Sequence, residues 1–397
     1  VRALVFRHDL VREVVTAVAG RVDVRAHTGR LAPVALEDVP EPVPPGPRWV
    51  RCRTVLSGIC GSDTKQVLLN GARDNPLTAV VSFPHVLGHE AVARREDNGE
   101  RVVVDPWLGC GPRGIEPPCP ACAAGRYPAC RNFTRGLLDA GLHLGNCGSV
   151  PGTHADAFVA HEEQLHVVPP ELPDEVAVLA DPASVSLRSV LLAPPDPSRP
   201  ALVYGSGALA FAAVAWLRHL FPDVEVWAAT RPGPRARLAA RLGAHAVLDS
   251  RPEALVAEVA RRSGARLLVP WSGRPWVQDG PGVVYDTIGS PETLETASRL
   301  AGTGATVVVS GVEPPRRFEW TLVYFKELRV IGSNAFGVEE LRARRAHAFE
   351  HYFAAAAAGL DLSPLVTHRF PLAAWRDAFL VAARSRSTGS VKVLLVP

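Results

Sequence analysis

Methionine is missing from this chain, and lysine stands only at Lys65, Lys326 and Lys392. Arginine, alanine and proline are abundant instead, a bias of composition rather than a sign of function. No physical consequence follows from the missing methionine. There is also no run of about 18 apolar residues, so no membrane span is expected. The stretch VRALVFRHDL has no long apolar segment after its basic residue, so no secretory leader is expected and the reading is cytoplasmic. A large excess of charge is lacking too. The formal balance is +3 over 397 residues, and arginine-rich pieces such as VEELRARRAHAFEH mix in Glu and His. That reads as solvated helix faces and argues against a nucleic-acid surface. The length favours two domains with real cores.

Cysteine is scarce but clustered. Four of the seven, Cys110, Cys119, Cys122 and Cys130, fall in one Gly- and Pro-rich stretch with the spacing C-x8-C-x2-C-x7-C. In a chain without a secretion signal such a cluster points to metal rather than disulfides. Four thiolates around one tetrahedral ion leave no open position, so this is read as a structural zinc that staples a loop with little core of its own. Cys52 in RWVRCRTVL and Cys147 in GLHLGNCGSV stand outside the pattern and are read as core.

A second set of metal-binding side chains lies in LSGICGSDTK, FPHVLGHEAVA and AVLADPASVSL. Cys60 and His89, with Glu90, Asp181 or both, would form an open site of the catalytic type, with water or substrate in the remaining position. His89 and Glu90 are adjacent, so both need not face the ion at once.

The run ALVYGSGALAFAAVAWLRHL reads as strand, tight turn and helix. It contains G-x-G-x-x-A, with Gly205 making the turn, Gly207 opening the backbone to a pyrophosphate, and Ala210 permitting close helix–strand packing. Ala208 and Leu209 complete the turn, and Gly311 ends a later strand, GATVVVSGV; these are the candidate cofactor contacts. A second strand, VEVWAAT, ends at Thr230, where an acidic residue would bind the ribose 2′-OH of NAD. Arg231 and Arg235 follow, which suits the 2′-phosphate of NADP, with NAD as the alternative. Further αβ units, among them AHAVLD, GVVYDTIGS, LETASRL and GATVVVSGV, imply an α/β fold with a doubly wound parallel sheet.

Taken in order, GICGSD, GHE, the cysteine lobe, GSGALA, RLGA, YDTIGS, VVVSG and LVTHRFPL resemble the zinc-dependent branch of the medium-chain dehydrogenase/reductase family. The nearest look is to threonine, sorbitol and glucose dehydrogenase-like members, and the resemblance spans nearly the whole chain. It implies a GroES-like, β-rich catalytic domain over 1–183 with a zinc lobe at about 105–135, a Rossmann domain over 184–335, and a return to the catalytic domain over 336–397. It implies catalytic zinc on Cys60 and His89, with Glu90 as an exchangeable ligand. Asp181 takes the place of a ligating Glu before proline and, one carbon shorter, is expected to act directly or through water. Ser62 maps onto the proton-relay hydroxyl. Lys65 stands where many relatives carry a relay histidine, and Glu116 where the first lobe cysteine usually stands. Hydride transfer between NAD(P) and a small alcohol or carbonyl substrate in an interdomain cleft is the implied activity, in a homodimer or homotetramer. Two rivals share the fold: a zinc-free enone or quinone reductase, expected to lack Cys60, His89 and the lobe, and a non-catalytic NADPH or zinc redox sensor. A zinc-dependent nucleic-acid binder is a third, against which the dinucleotide turn and the missing basic patch speak.

Overall fold

The computed structural model describes residues 1–71 and 75–397. The chain divides into two compact units. One comprises Val1–Asp181, Gly337–Ala357 and Leu365–Pro397; the other comprises Pro182–Phe336 and Ala358–Pro364. The crossings thus follow Asp181 and Phe336 rather than residues 183 and 335. Ala358–Pro364 joins the second unit, although the sequence reading assigned it to the catalytic domain. Among the described residues no helix is long and apolar enough to cross a membrane.

The first unit is built on a seven-stranded sheet whose centre is the long strand Trp49–Ile59. Its alternating and β-branched residues suit a pleated surface with one face packed. Its first half pairs with Ala157–His161, its middle with Glu90–Arg95, and its end with Lys392–Val396, all antiparallel. Beyond Glu90–Arg95 lie Arg101–Val104 and Leu165–Val167. One core gathers Trp49, Cys52, Ala91, Val102, Cys147 and Phe158, and another Leu4, Ile59, Val67, Trp375, Phe379 and Val393. Cys52 and Cys147 are therefore core thiols, and burial pushes the Cys52 thiol up to about 12.

The second unit holds a six-stranded, wholly parallel sheet. Its spatial order is Ala246–Asp249, Val226–Thr230, Ala201–Tyr204, Val283–Asp286, Thr306–Val309 and Arg329–Gly332. In chain order this is 3-2-1-4-5-6, the doubly wound pattern whose switch point lies beside the first strand. The helix Ala208–Leu220 is buried continuously from Ala210 to Leu217, as expected of a helix apolar on all sides. Lys326 is fully buried here and donates to the carbonyls of Val277, Arg299 and Ala301. Those of Arg299 and Ala301 lie at the C-terminal end of the helix Pro291–Leu300, where backbone acceptors are otherwise orphaned. Burial brings its pKa down to about 7.

Candidate active site

Three strand ends of the first unit's sheet converge on one point. Cys60 follows Trp49–Ile59 directly and caps the short helix Gly61–Val67. His89 precedes the strand Glu90–Arg95, whose first residue pairs with Gly58. Single ligand atoms of Cys60, His89 and Glu90 all lie within 4.8 Å of one another, close enough to share one ion. Asp181 is not among these three. It opens the helix Ala180–Leu192 and is buried, and burial together with the Glu90 charge pushes its carboxyl up to about 7. Ser62 is exposed on the first turn of the Cys60 helix, and Lys65 is half-buried in the same helix.

The sequence reading did not single out the residues around these ligands. Asp63, one helical turn beyond Cys60, accepts the Cys60 amide at 2.9 Å. Its other oxygen lies 3.4 Å from His89 Nδ1. This carboxylate–imidazole contact orients the ring so that its second nitrogen is left for a metal. His154, fully buried, sits 3.4 Å from Asp63 through Nε2 and 2.8 Å from Ser57 Oγ through Nδ1. Burial works against ionisation of Asp63, yet His89 and His154 hold it well below the usual carboxylate range. Burial likewise opposes protonation of His89, but Asp63 and Cys60 outweigh it and raise the imidazole well above its ordinary value. The pocket is thus built to favour positive charge, which is the condition a divalent ion needs.

Glu90 is held from behind. Lys392 Nζ lies 2.8 and 2.6 Å from its two carboxylate oxygens and 3.3 Å from the Ile59 carbonyl. The register allows this, because Gly58 pairs with Glu90 on one side and with Leu394 on the other. A Cβ on Gly58 would stand 2.2 Å from Glu90 Oε2; only glycine leaves room for the carboxylate there.

The cysteine lobe gathers all four thiols, with one Sγ from each of Cys110, Cys119, Cys122 and Cys130 within 4.8 Å of the others. Two measured separations, 3.7 Å for Cys110–Cys130 and 4.0 Å for Cys119–Cys130, match the edge of a tetrahedron of sulfurs about 2.3 Å from a zinc ion. Amides of Cys119 and Asn132 and the Asn132 side chain donate to these sulfurs. The hydrogen bond with Cys122, against the cost of burial, draws the Cys130 thiol down to about 5. Cys110 reaches the others across its eight-residue gap.

In the second unit, Gly205 has φ +142°, and a Cβ there would meet Thr287 Oγ1 at 2.1 Å. Glycine is required by both conformation and space. Gly207 caps the helix that begins at Ala208, and Ala210 is buried against the turn. The half-buried Leu209 gives its carbonyl to Ser186 Oγ. Gly311 lies against the backbone of Thr287 and Ile288. Thr230 is buried, with its hydroxyl donating to the Arg231 carbonyl. Arg231 is exposed, while Arg235 Nη1 reaches back to Ser206 Oγ of the glycine turn at 3.0 Å. The helix N-terminus and the arginine therefore face the same turn, the arrangement that receives phosphate.

Residues 46–170 match the alcohol dehydrogenase GroES-like domain, and residues 209–349 the zinc-binding dehydrogenase domain. An L-threonine 3-dehydrogenase of Sinorhizobium fredii is 28% identical over 372 residues, covering 90% of this chain and 93% of its own length. Galactitol-1-phosphate dehydrogenase from Escherichia coli superposes with a TM-score of 0.72 over 100% of both chains at 21% identity. A zinc-binding dehydrogenase of Sinorhizobium meliloti 1021, bound to NADP, superposes with a TM-score of 0.67 over 92% of this chain and 96% of its own at 25% identity. The chain belongs to the zinc-dependent medium-chain alcohol dehydrogenase family. It is an oxidoreductase acting on CH–OH groups of a small-molecule alcohol, with zinc and a nicotinamide cofactor.

Proposed function

We propose that Cys60, His89 and Glu90 hold the catalytic zinc, that Cys110, Cys119, Cys122 and Cys130 hold a structural one, and that NADP is the preferred cofactor. The substrate class is a small polar alcohol or its carbonyl, in keeping with the amino-alcohol and polyol-phosphate names of the relatives. The observation that carries the reading is the meeting of Cys60, His89 and Glu90 at the ends of adjoining strands. The zinc-free reductase reading requires that set and the lobe to be absent.

Zinc held by these residues would supply Lewis-acid polarisation of the alcohol or carbonyl oxygen, and a nicotinamide cofactor at the glycine turn would supply the hydride exchange. Asp63 fixes the tautomer and tilt of His89. Lys392 binds both carboxylate oxygens of Glu90, so Glu90 joins the metal by giving up part of that pairing. Asp181, outside the ligand trio, adds an adjustable charge behind it. Ser62 stands two residues from Cys60 and carries the substrate proton toward solvent. The cysteines, none in a disulfide, suit a cytoplasmic setting, and the assembly is read as a dimer or tetramer.

The test is mild chelation of the purified enzyme, with metal content and NADPH oxidation followed against a panel of aldehydes and ketones. Loss of one zinc together with turnover, while thiolate-held zinc stays, is the expected result. Turnover that survives loss of that ion overturns the assignment.

For the cofactor, Arg231→Ala combined with Arg235→Ala is expected to raise KM for NADPH about 10- to 100-fold. That is the effect of losing one hydrogen bond to a charged group, about 1.5–3 kcal/mol. KM for NADH should stay within about twofold. An equal loss with both cofactors means that the arginines serve only the turn.

A further inference from the structure

Apart from the two sites above, a third set of metal-binding side chains meets in the first unit. Asp105, His166 and His347 each bring one ligand atom within 4.8 Å of the other two. They come from separate pieces of chain. Asp105 follows the strand Arg101–Val104, His166 is the middle of Leu165–Val167, and His347 ends Arg344–His347. Val103 pairs with His166 in antiparallel register, so Asp105 and His166 are diagonal neighbours on one sheet face. The hairpin of Val338–Leu341 and Arg344–His347 brings the second imidazole. The two rings stack at 4.0 Å between centroids, 22° apart. Phe349 packs edge-on against both.

The hydrogen bonding of this trio is incomplete. Asp105 Oδ1 accepts the Trp107 amide at 3.1 Å. Its Oδ2 lies 3.2 Å from His347 Nε2. The Phe349 amide approaches His347 Nδ1 at a long 3.3 Å. His166 Nε2 is buried and has no hydrogen-bond partner. An unsatisfied buried nitrogen is costly, and a proton shared between His347 and Asp105 does nothing for it. A cation among the three would satisfy His166 and Asp105 together and take the place of the shared proton.

We propose that Asp105, His166 and His347 form a third metal site, for a zinc-class divalent ion. Two imidazole nitrogens and one carboxylate oxygen are donors suited to zinc, cobalt or nickel rather than to magnesium or calcium. The site shares no residue with Cys60, His89 and Glu90, and its role is to fasten the 338–347 hairpin to the main sheet.

The test compares wild type with His166→Phe, which keeps a ring in the stack, and with Asp105→Asn, which keeps the shape and removes the charge. Each protein is equilibrated with zinc, freed of excess and analysed for metal. Wild type is expected to hold about one more ion per chain than either variant, and zinc to raise the Tm of wild type but not of His166→Phe. The difference does not depend on how many ions the other sites hold, so it stands or falls separately from the catalytic assignment. Should both variants fold poorly, wild type depleted by chelation and titrated with cobalt still decides. Binding of a cobalt ion that lacks the sulfur charge-transfer band, in wild type and equally in a Cys60→Ala enzyme, supports the site. Equal metal content in all proteins, or no such cobalt, leaves a proton-held Asp–His pair and overturns it.

Discussion

Cys60→Ala and His89→Ala are each expected to bring turnover down by about 1,000-fold or more, while NADPH still binds with its wild-type affinity. A thousandfold is about 4 kcal/mol of transition-state stabilisation, a modest demand on a Lewis acid that supplies several. Either change removes one of only three ligand atoms within 4.8 Å. With Glu90 tied to Lys392, the remaining pair cannot hold an ion firmly. Stopped-flow or steady-state reduction of a responsive carbonyl, run beside metal analysis and NADPH fluorescence, checks this. The cofactor turn is built within the second unit from Gly205, Ser206 and Arg235, and so is expected to be unaffected. Asp63→Asn forms a graded companion, because loss of the orienting charge is expected to weaken metal binding about 10- to 100-fold. Full turnover in the Cys60 or His89 variant would remove the metal from the mechanism.

What the sequence made legible was what short spacing encodes. The C-x2-C pair, Cys-Gly followed by Gly-His-Glu, and G-x-G-x-x-A after an apolar strand are local patterns. The last two lie where a strand ends and the backbone must turn, so sequence order and spatial order coincide. The parallel sheet was legible for the same reason, since αβ repetition admits few topologies. The supporting residues were not. Lys392 meets Glu90 across 302 positions, and His154 meets Ser57 across 97. No period or motif reports such a contact; it exists only once the antiparallel register of the long central strand is set. Asp63 was within reach, as the third residue of a helix capped by Cys60. Asp181 is a different case. Its carboxylate lies outside the set of ligand atoms within 4.8 Å of one another, which fits the reading that a side chain one carbon shorter than the Glu it replaces acts through water.

The arginine-rich composition hid one residue whose loss is expected to cost the most stability. Arg113 has no solvent exposure. Its guanidinium has five N–H donors, and five carbonyls accept them: Leu108, Arg135, Leu138, Asp139 and Gly141, at 2.7–3.0 Å. Burial lowers its pKa, and it is solvated by peptide dipoles rather than by a paired carboxylate. These carbonyls lie on both sides of the cysteine stretch, so the side chain closes the loop that carries Cys110 back to Cys130. Arg113→Met keeps the volume but strands the three buried acceptors of Leu108, Leu138 and Gly141. At about 1–3 kcal/mol for each group left unpaired, reduced by what local relaxation recovers, a net loss of about 5 kcal/mol is expected. That is as large as breaking a buried ion pair. Zinc binding by the lobe is coupled to its folding, so the variant should also release the lobe zinc to a chelating dye faster than wild type. Arg113→Lys, with three donors on a flexible stem, should fall between the two. If Arg113→Met matches wild type in both denaturant midpoint and zinc release, the lobe is held by its thiolates alone. If only the midpoint falls, the arginine stabilises the unit without setting the cysteine geometry. A fall in both ties Cys110, the ligand with the longest gap to span, to a side chain three residues away.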